Sequence, residues 1–235
     1  MNKLYVGVDR VVVPPRGGYL LIDEEGEGFD PRVHSFNPLK SIDYKRARDF
    51  AEIIFTGAGK ETLTVRNGKR ALTRLLLSNT RLDRIKAESK DPAVVEAVAA
   101  VDDLLLSPVL RKVLCNPTNF SFKGKVSARI NRAELGDFDS FILGALLIGH
   151  YQGQVVVPDF GFYGRDFHTN LIRQNRLIAG VNCLSELPEK LRQNVLLIKD
   201  KEGCGCTFED AEALALYARL RPDTVGFNEF VDKMM

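Results

Sequence analysis

The chain has no tryptophan, only three histidines and four cysteines, and no long apolar run. Each shortage excludes something. Without Trp there is no tryptophan platform for base stacking, although Phe and Tyr are present. The longest strongly apolar run is Phe141–Gly149. A membrane span needs roughly 20 such residues, so this run reads as a buried helix segment. Met1-Asn2-Lys3-Leu4-Tyr5 is not a secretory apolar region followed by a small-residue cleavage site, and the expectation is a cytoplasmic protein. His34, His150 and His168 are scattered without metal-ligand spacing. That leaves Cys204-Gly205-Cys206 without further ligands and favours a structural or incidental loop pair over a metal or redox site. Cys115 and Cys183 sit in or beside apolar stretches and read as small core residues. An excess of one charge is missing too. With 33 basic against 31 acidic residues the net charge is +2, which argues against a disordered polyelectrolyte or a uniformly basic nucleic-acid coat.

What is present is a chain of 235 residues, 45% hydrophobic, enough for a sizeable core. Leu4–Val8, Arg10–Val13 and Tyr19–Asp23 read as strands, with Pro14-Pro-Arg-Gly-Gly18 as punctuation. Helical spacing then predicts Asp43–Phe55, Leu63–Leu77, Pro92–Leu106 capped by Asp91, and Val109–Leu114. The second half alternates. It predicts a strand at Val126–Ile130, a buried helix at Ala133–His150, and a continuous apolar strand at Gln154–Pro158. A helix through Leu171–Arg176 follows, then a strand at Leu177–Cys183 and a short helix at Pro188–Gln193. A strand at Val195–Lys199 and a helix at Phe208–Arg219, capped by Thr207, close the series. Strand–helix alternation signals an α/β fold with a mostly parallel sheet and helices on both faces. The expectation is one domain over residues 1–235, with a helical insertion at about 61–114.

The order of the short motifs carries a resemblance. Tyr19-Leu-Leu-Ile-Asp23-Glu-Glu-Gly-Glu-Gly is a strand ending in an acid, and Phe36-Asn37-Pro38-Leu39 follows it. After the helical block, Gln154-Val-Val-Val-Pro-Asp159 is an apolar strand with an acid at its carboxyl end. Arg173 and Arg176 come next, and then a strand ending in Asn182. Over about residues 19–230 this resembles the hexameric DNA-pumping ATPases of the HerA/FtsK class, including the coupling ATPases of type IV secretion and conjugation. The resemblance implies a RecA-like sheet. It implies Asp159 as the Walker B carboxylate that binds magnesium, Arg173 or Arg176 near the arginine-finger position, and Asn182 as the polar sensor.

The sequence also departs from that family. Only 18 residues precede Tyr19, and they contain no GxxxxGK[ST] loop to hold phosphates and metal. Phe160 follows Asp159 in place of the Glu that would polarise a water. Asp159-Phe160-Gly161 matches the kinase DFG only in letters, because no HRD loop accompanies it. Gly57-Ala-Gly59-Lys60-Glu-Thr62 is reminiscent of a phosphate loop, but Glu61 would repel phosphate; a Gly-rich turn between two helices is the competing reading.

The balanced total hides an asymmetry. Residues 60–90 hold nine basic residues against three acids, while residues 200–235 hold eight acids against four basic residues. Arg66, Lys69, Arg70 and Arg74 share one helical face, opposite Leu72, Leu75 and Leu76. That face is either a patch for nucleic-acid phosphates or an acidic partner, or a solvated helix surface. The acidic segment reads as ordinary capping charge or as a contact with the basic block of a neighbouring copy, which would suit a ring or head-to-tail assembly. Asp137, Asp139 and Glu134 read as first-turn helix charges, and His168 beside Asp166 as a general base without a nucleophile.

The leading expectation is therefore a non-catalytic or weakly nucleotide-binding relative of a DNA-translocating ATPase. It would be an interaction or DNA-handling module, with an origin in a mobile element implied by the resemblance alone. No cofactor is expected in that reading. The alternative is an ATP hydrolase using Gly57, Gly59, Lys60 and Thr62, or Gly17-Gly18, with Asp159, magnesium and ATP. A weaker alternative is a metal-dependent nuclease built on the Asp159–Asp166 loop. DNA, a second copy or another protein are the candidate partners.

Overall fold

A computed structural model describes residues 2–6, 11, 17–40, 42–57, 63–87, 89–174, 176–182, 186–192 and 198–199. Along the chain these form β1 (Lys3–Val6), β2 (Tyr19–Asp23), α1 (Tyr44–Gly57), α2 (Leu63–Ser78), α3 (Pro92–Leu106), α4 (Pro108–Cys115), β3 (Lys125–Arg129) and α5 (Arg132–Leu135). They continue as α6 (Asp137–His150), β4 (Gln154–Val157), α7 (Phe160–Tyr163), α8 (Thr169–Arg173), β5 (Leu177–Val181), α9 (Glu189–Arg192) and β6 (Ile198–Lys199). The α/β class predicted by the alternation is the class of the structure, and its parallel sheet fits a RecA-like fold. The expected strand Arg10–Val13, apart from Val11, and the expected helix Phe208–Arg219 lie outside the described residues.

The chain divides into two compact units, one of Met1–Tyr19 with Gly153–Met235, the other of Leu20–Gln152. In the first unit the strands run in the order β4-β5-β1-β6. These four strands pair in parallel, with Val156 opposite Ile178, Tyr5 opposite Gly180 and Leu4 opposite Ile198. β5 is paired on both sides and every residue of it is buried, which explains its unbroken apolar sequence. Asn2 locks the amino end of the sheet. Its amide donates to Ile172 O, and its Oδ1 accepts from Leu177 N–H at 2.9 Å.

The second unit is mainly helical. α1, α2 and α3 pack on one another, and α6 packs on α1. α3 starts as its sequence predicts, with Pro92 in the first turn and Asp91 accepting from Ala93 N–H at 2.9 Å. Ser107 plays the same part for α4 and also donates to the buried Asp139 at 2.5 Å. Burial raises the Asp139 carboxyl above the usual range. The long helix expected over Ala133–His150 is two helices. Gly136 breaks it at φ +79°, a left-handed conformation that closes α5 and cannot continue a helix. Short helical turns at Phe160–Tyr163 and Asp166–His168 were absent from the sequence reading, because neither is long enough to show a period.

The Phe36-Asn37-Pro38-Leu39 segment is held as a staple in this unit. Phe36 N–H donates to Val113 O, and Asn37 N–H to Thr118 Oγ1. The Asn37 side chain donates to Thr80 O at 3.0 Å and accepts from Leu39 N–H at 2.9 Å. Phe36, Phe122, Phe120, Phe29, His34 and His150 form one continuous group of ring contacts behind it.

Candidate functional site

Two regions hold the residues singled out by the sequence. The first is the carboxyl edge of the β4-β5-β1 sheet. β4 ends at Val157 and turns through Pro158 to the exposed Asp159; β5 ends at Val181 and is followed by the exposed Asn182. Because β4 and β5 are parallel neighbours, these two polar residues leave the same edge of the sheet. This is the usual side for ligands in such sheets.

The chain's own atoms occupy much of that edge. Asn182 is clamped by Glu186: its backbone N–H donates to Glu186 Oε2 at 2.9 Å and its side-chain amide to Glu186 Oε1 at 3.0 Å. A Cβ placed on Gly180 would strike the carbonyl of Pro158 and sit 2.8 Å from Val11 Cγ2. The turn before Asp159 therefore lies directly on the last residues of β5. Glu186 was not among the residues read from the sequence. A lone acid gives no spacing signal in the sequence, and only the fold brings it to Asn182.

Arg173 and Arg176 are not brought to this edge. Both precede Leu177, the first residue of β5, so they stand at its amino end. A five-residue strand is about 16 Å long, which separates them from Asn182 within this copy. Arg176 Nε donates to Gly153 O at 2.9 Å and its Nη1 to Gln174 Oε1 at 2.7 Å. Arg173 is exposed in the last turn of α8. His168 is no surface base. It is 2% exposed, its Nδ1 accepts from Arg165 N–H, and Phe167 and Phe160 pack beside its ring. Burial, with Arg165 nearby, pushes its pKa down to about 3. Among the described residues no group of three His, Cys, Asp or Glu side chains is placed to hold a metal ion.

The second region is the outer face of α2. This helix carries four basic residues and no acid. Gly68, Leu72, Thr73 and Leu76 are buried, and Arg66, Arg70 and Arg74 are exposed at successive four-residue steps. Among the described residues these three guanidiniums make no ion pair or hydrogen bond. Lys69 separates from them. It turns to α1 and pairs with Glu52 at 2.6 Å, so the expected four-residue face is a row of three arginines beside a structural lysine.

No protein-family model matches the chain, and no curated protein matches it.

The remaining sequence candidates are dispersed. Gly57 ends α1, and a Cβ there would sit 2.7 Å from Ile142 Cδ1 and 3.3 Å from the Phe138 ring. The backbone at Gly57 thus lies close against the side chains of α6. Gly59, Lys60 and Thr62 lie outside the described residues, as do Cys183, Cys204 and Cys206. Gly17 has φ +87° and open space around it. Cys115 is a buried free thiol whose pKa burial raises. No helix of the described residues is long and apolar enough to cross a membrane.

Proposed function

We propose that this chain is a DNA-handling relative of the HerA/FtsK-class pumps that does not hydrolyse ATP in that family's manner. The row of Arg66, Arg70 and Arg74 carries this reading. Three exposed arginines that have no partner among the described residues, on a helix without an acid, present about 12 Å of positive surface along the helix axis. Arginine forks match phosphate oxygens in pairs, and phosphate contacts supply most sequence-independent affinity for DNA. The sheet edge supports the non-hydrolytic part, because the residue at the sensor position is engaged by Glu186 and not left for a nucleotide.

The test is binding to a short duplex of arbitrary sequence. Changing Arg66, Arg70 and Arg74 together to Glu should lower affinity by a hundredfold or more, roughly 2.7 kcal/mol. Changing Lys69 to Gln should lower it much less, since that lysine is already paired. Equal binding by the wild type and the triple variant would remove DNA from the reading. An acidic segment of a second copy is then the competing occupant, seen as a triple variant that loses self-association.

One observation favours a second reading, an active ATP hydrolase. Asp159 and Asn182 do leave adjacent strands on the same edge, as a carboxylate and a sensor would. ATP turnover that depends on magnesium and is lost in Asp159→Asn would establish it.

A further inference from the structure

The Leu20–Gln152 unit carries, besides the arginine row of α2, a second set of charges that the fold leaves over. After β2 the chain turns through Glu24-Glu25-Gly26-Glu27, and all three glutamates are exposed. Among the described residues none of their carboxylates has an ion pair or a hydrogen bond. Asp30, the next acid along the chain, is by contrast engaged by Arg32 at 2.7 Å.

The turn is held as a fixed projection. Asp23 Oδ1 accepts from Glu25 N–H at 3.2 Å, Phe29 N–H donates to Ser127 O at 2.8 Å, and Phe29 O accepts from Arg129 N–H at 2.7 Å. Gly26 and Gly28 lie so close to β3 that a Cβ on the first would strike Ser127 Oγ and a Cβ on the second the Ser127 carbonyl. The backbone is thus pressed onto β3 while the three glutamates stay in solvent.

Its size and charge match the face of α2. Residues 24–27 span at most about 11 Å, and Arg66 to Arg74 cover about 12 Å of helix axis. Three carboxylates meet three guanidiniums, and a guanidinium fork takes a carboxylate in two parallel hydrogen bonds. Within one copy the two sets do not meet, since neither has a partner among the described residues. A pairing between copies joins two different patches of the chain, so it is head-to-tail and closes into a ring or extends.

We propose that the Glu24–Glu27 turn of a second copy docks on Arg66, Arg70 and Arg74, and that this contact covers the face while no DNA is bound. The contact stands by itself; its competition with DNA rests on the DNA reading. Exposed ion pairs are individually weak, so a polyanion such as a duplex displaces it.

The experiment is sedimentation equilibrium of the full chain without DNA, from about 10 to about 500 μM protein, in about 50 mM and about 500 mM salt. At low salt the average mass should rise with concentration. At high salt, where the screening length is roughly 4 Å, it should stay at that of one chain. Glu24→Lys, Glu25→Lys and Glu27→Lys together, or Arg66→Glu, Arg70→Glu and Arg74→Glu together, should each hold the single-chain mass throughout. An equimolar mixture of these two variants should associate again, and Asp102→Lys, at an exposed acid of α3, should associate as the wild type does. A wild type of single-chain mass over the whole range, or reversed variants that associate like it, would overturn the contact. A mixture that stays at the single-chain mass would overturn the pairing of these two faces. Adding a short duplex should dissolve the assembly. Association unchanged by bound duplex would overturn the masking, whereas a chain that associates but binds no duplex would remove the DNA reading and leave the contact.

Discussion

The two regions treat their polar groups in opposite ways. In the β4-β5-β1 sheet the candidate groups are consumed by the protein: Asn182 at the carboxyl edge by Glu186, Arg176 at the amino end of β5 by Gly153 and Gln174. On α2 they are left over. Among the described residues Arg66, Arg70 and Arg74 have no partner. A polar group satisfied within the fold contributes to stability, and its removal leaves the partner unpaired. An exposed, unpaired arginine contributes little to stability and keeps its full capacity for an outside anion. Variants at the sheet edge should therefore read out in unfolding, and variants on α2 in binding.

The largest effect of a single substitution tests whether the sheet edge is covered. Gly180→Ala should cost about 3 kcal/mol in urea unfolding, since the methyl meets the Pro158 backbone and Val11. An open crevice there would tolerate the methyl at little cost. Next comes acid. The pKa of His168 is about 3 and that of His150 about 4 in the folded chain, against 6.5 as the ordinary value. Both are depressed, so the unfolded chain binds protons first, and stability falls as pH drops from 6.5 towards 4. Below that only His168 still contributes, down to about 3. Each histidine adds at most ~1.4 kcal/mol per pH unit to that slope. Urea unfolding across pH 4–7 should show the slope reduced by about one proton in His150→Asn, and stability independent of pH in this window would contradict the burial of both rings.

Asn182→Ala should be milder, about 1 kcal/mol, because Glu186 is partly exposed and water replaces the lost partner. A gain in ATP affinity on releasing Glu186 would turn the comparison around, making the clamp a lock on a nucleotide site. The smallest expected effect is a null. A ligand at 100 times its dissociation constant raises stability by about 2.7 kcal/mol, and magnesium-ATP at millimolar concentration should leave the melting temperature where it was.

Much of this was legible in the residues. Asp91-Pro92 and Ser107-Pro108 announce two helix starts, and Gln154–Val157 and Leu177–Val181 read as buried strands because nothing in them is polar inside the run. Helical spacing also placed the arginines of α2 on one face. It did not separate Lys69 from them, because the pairing with Glu52 depends on how α1 and α2 cross. The apolar stretch ending at His150 concealed its break, since Gly136 interrupts the backbone without interrupting the polarity pattern.

The central claim is that the arginine row of α2 is a phosphate-binding face. Its most direct measurement is the salt dependence of duplex binding, with log affinity plotted against log salt concentration. Each phosphate contact contributes a slope of about −0.9, so changing Arg66, Arg70 and Arg74 to Gln should make the slope shallower by roughly 2.7. The same slope in the wild type and the triple variant would contradict the claim.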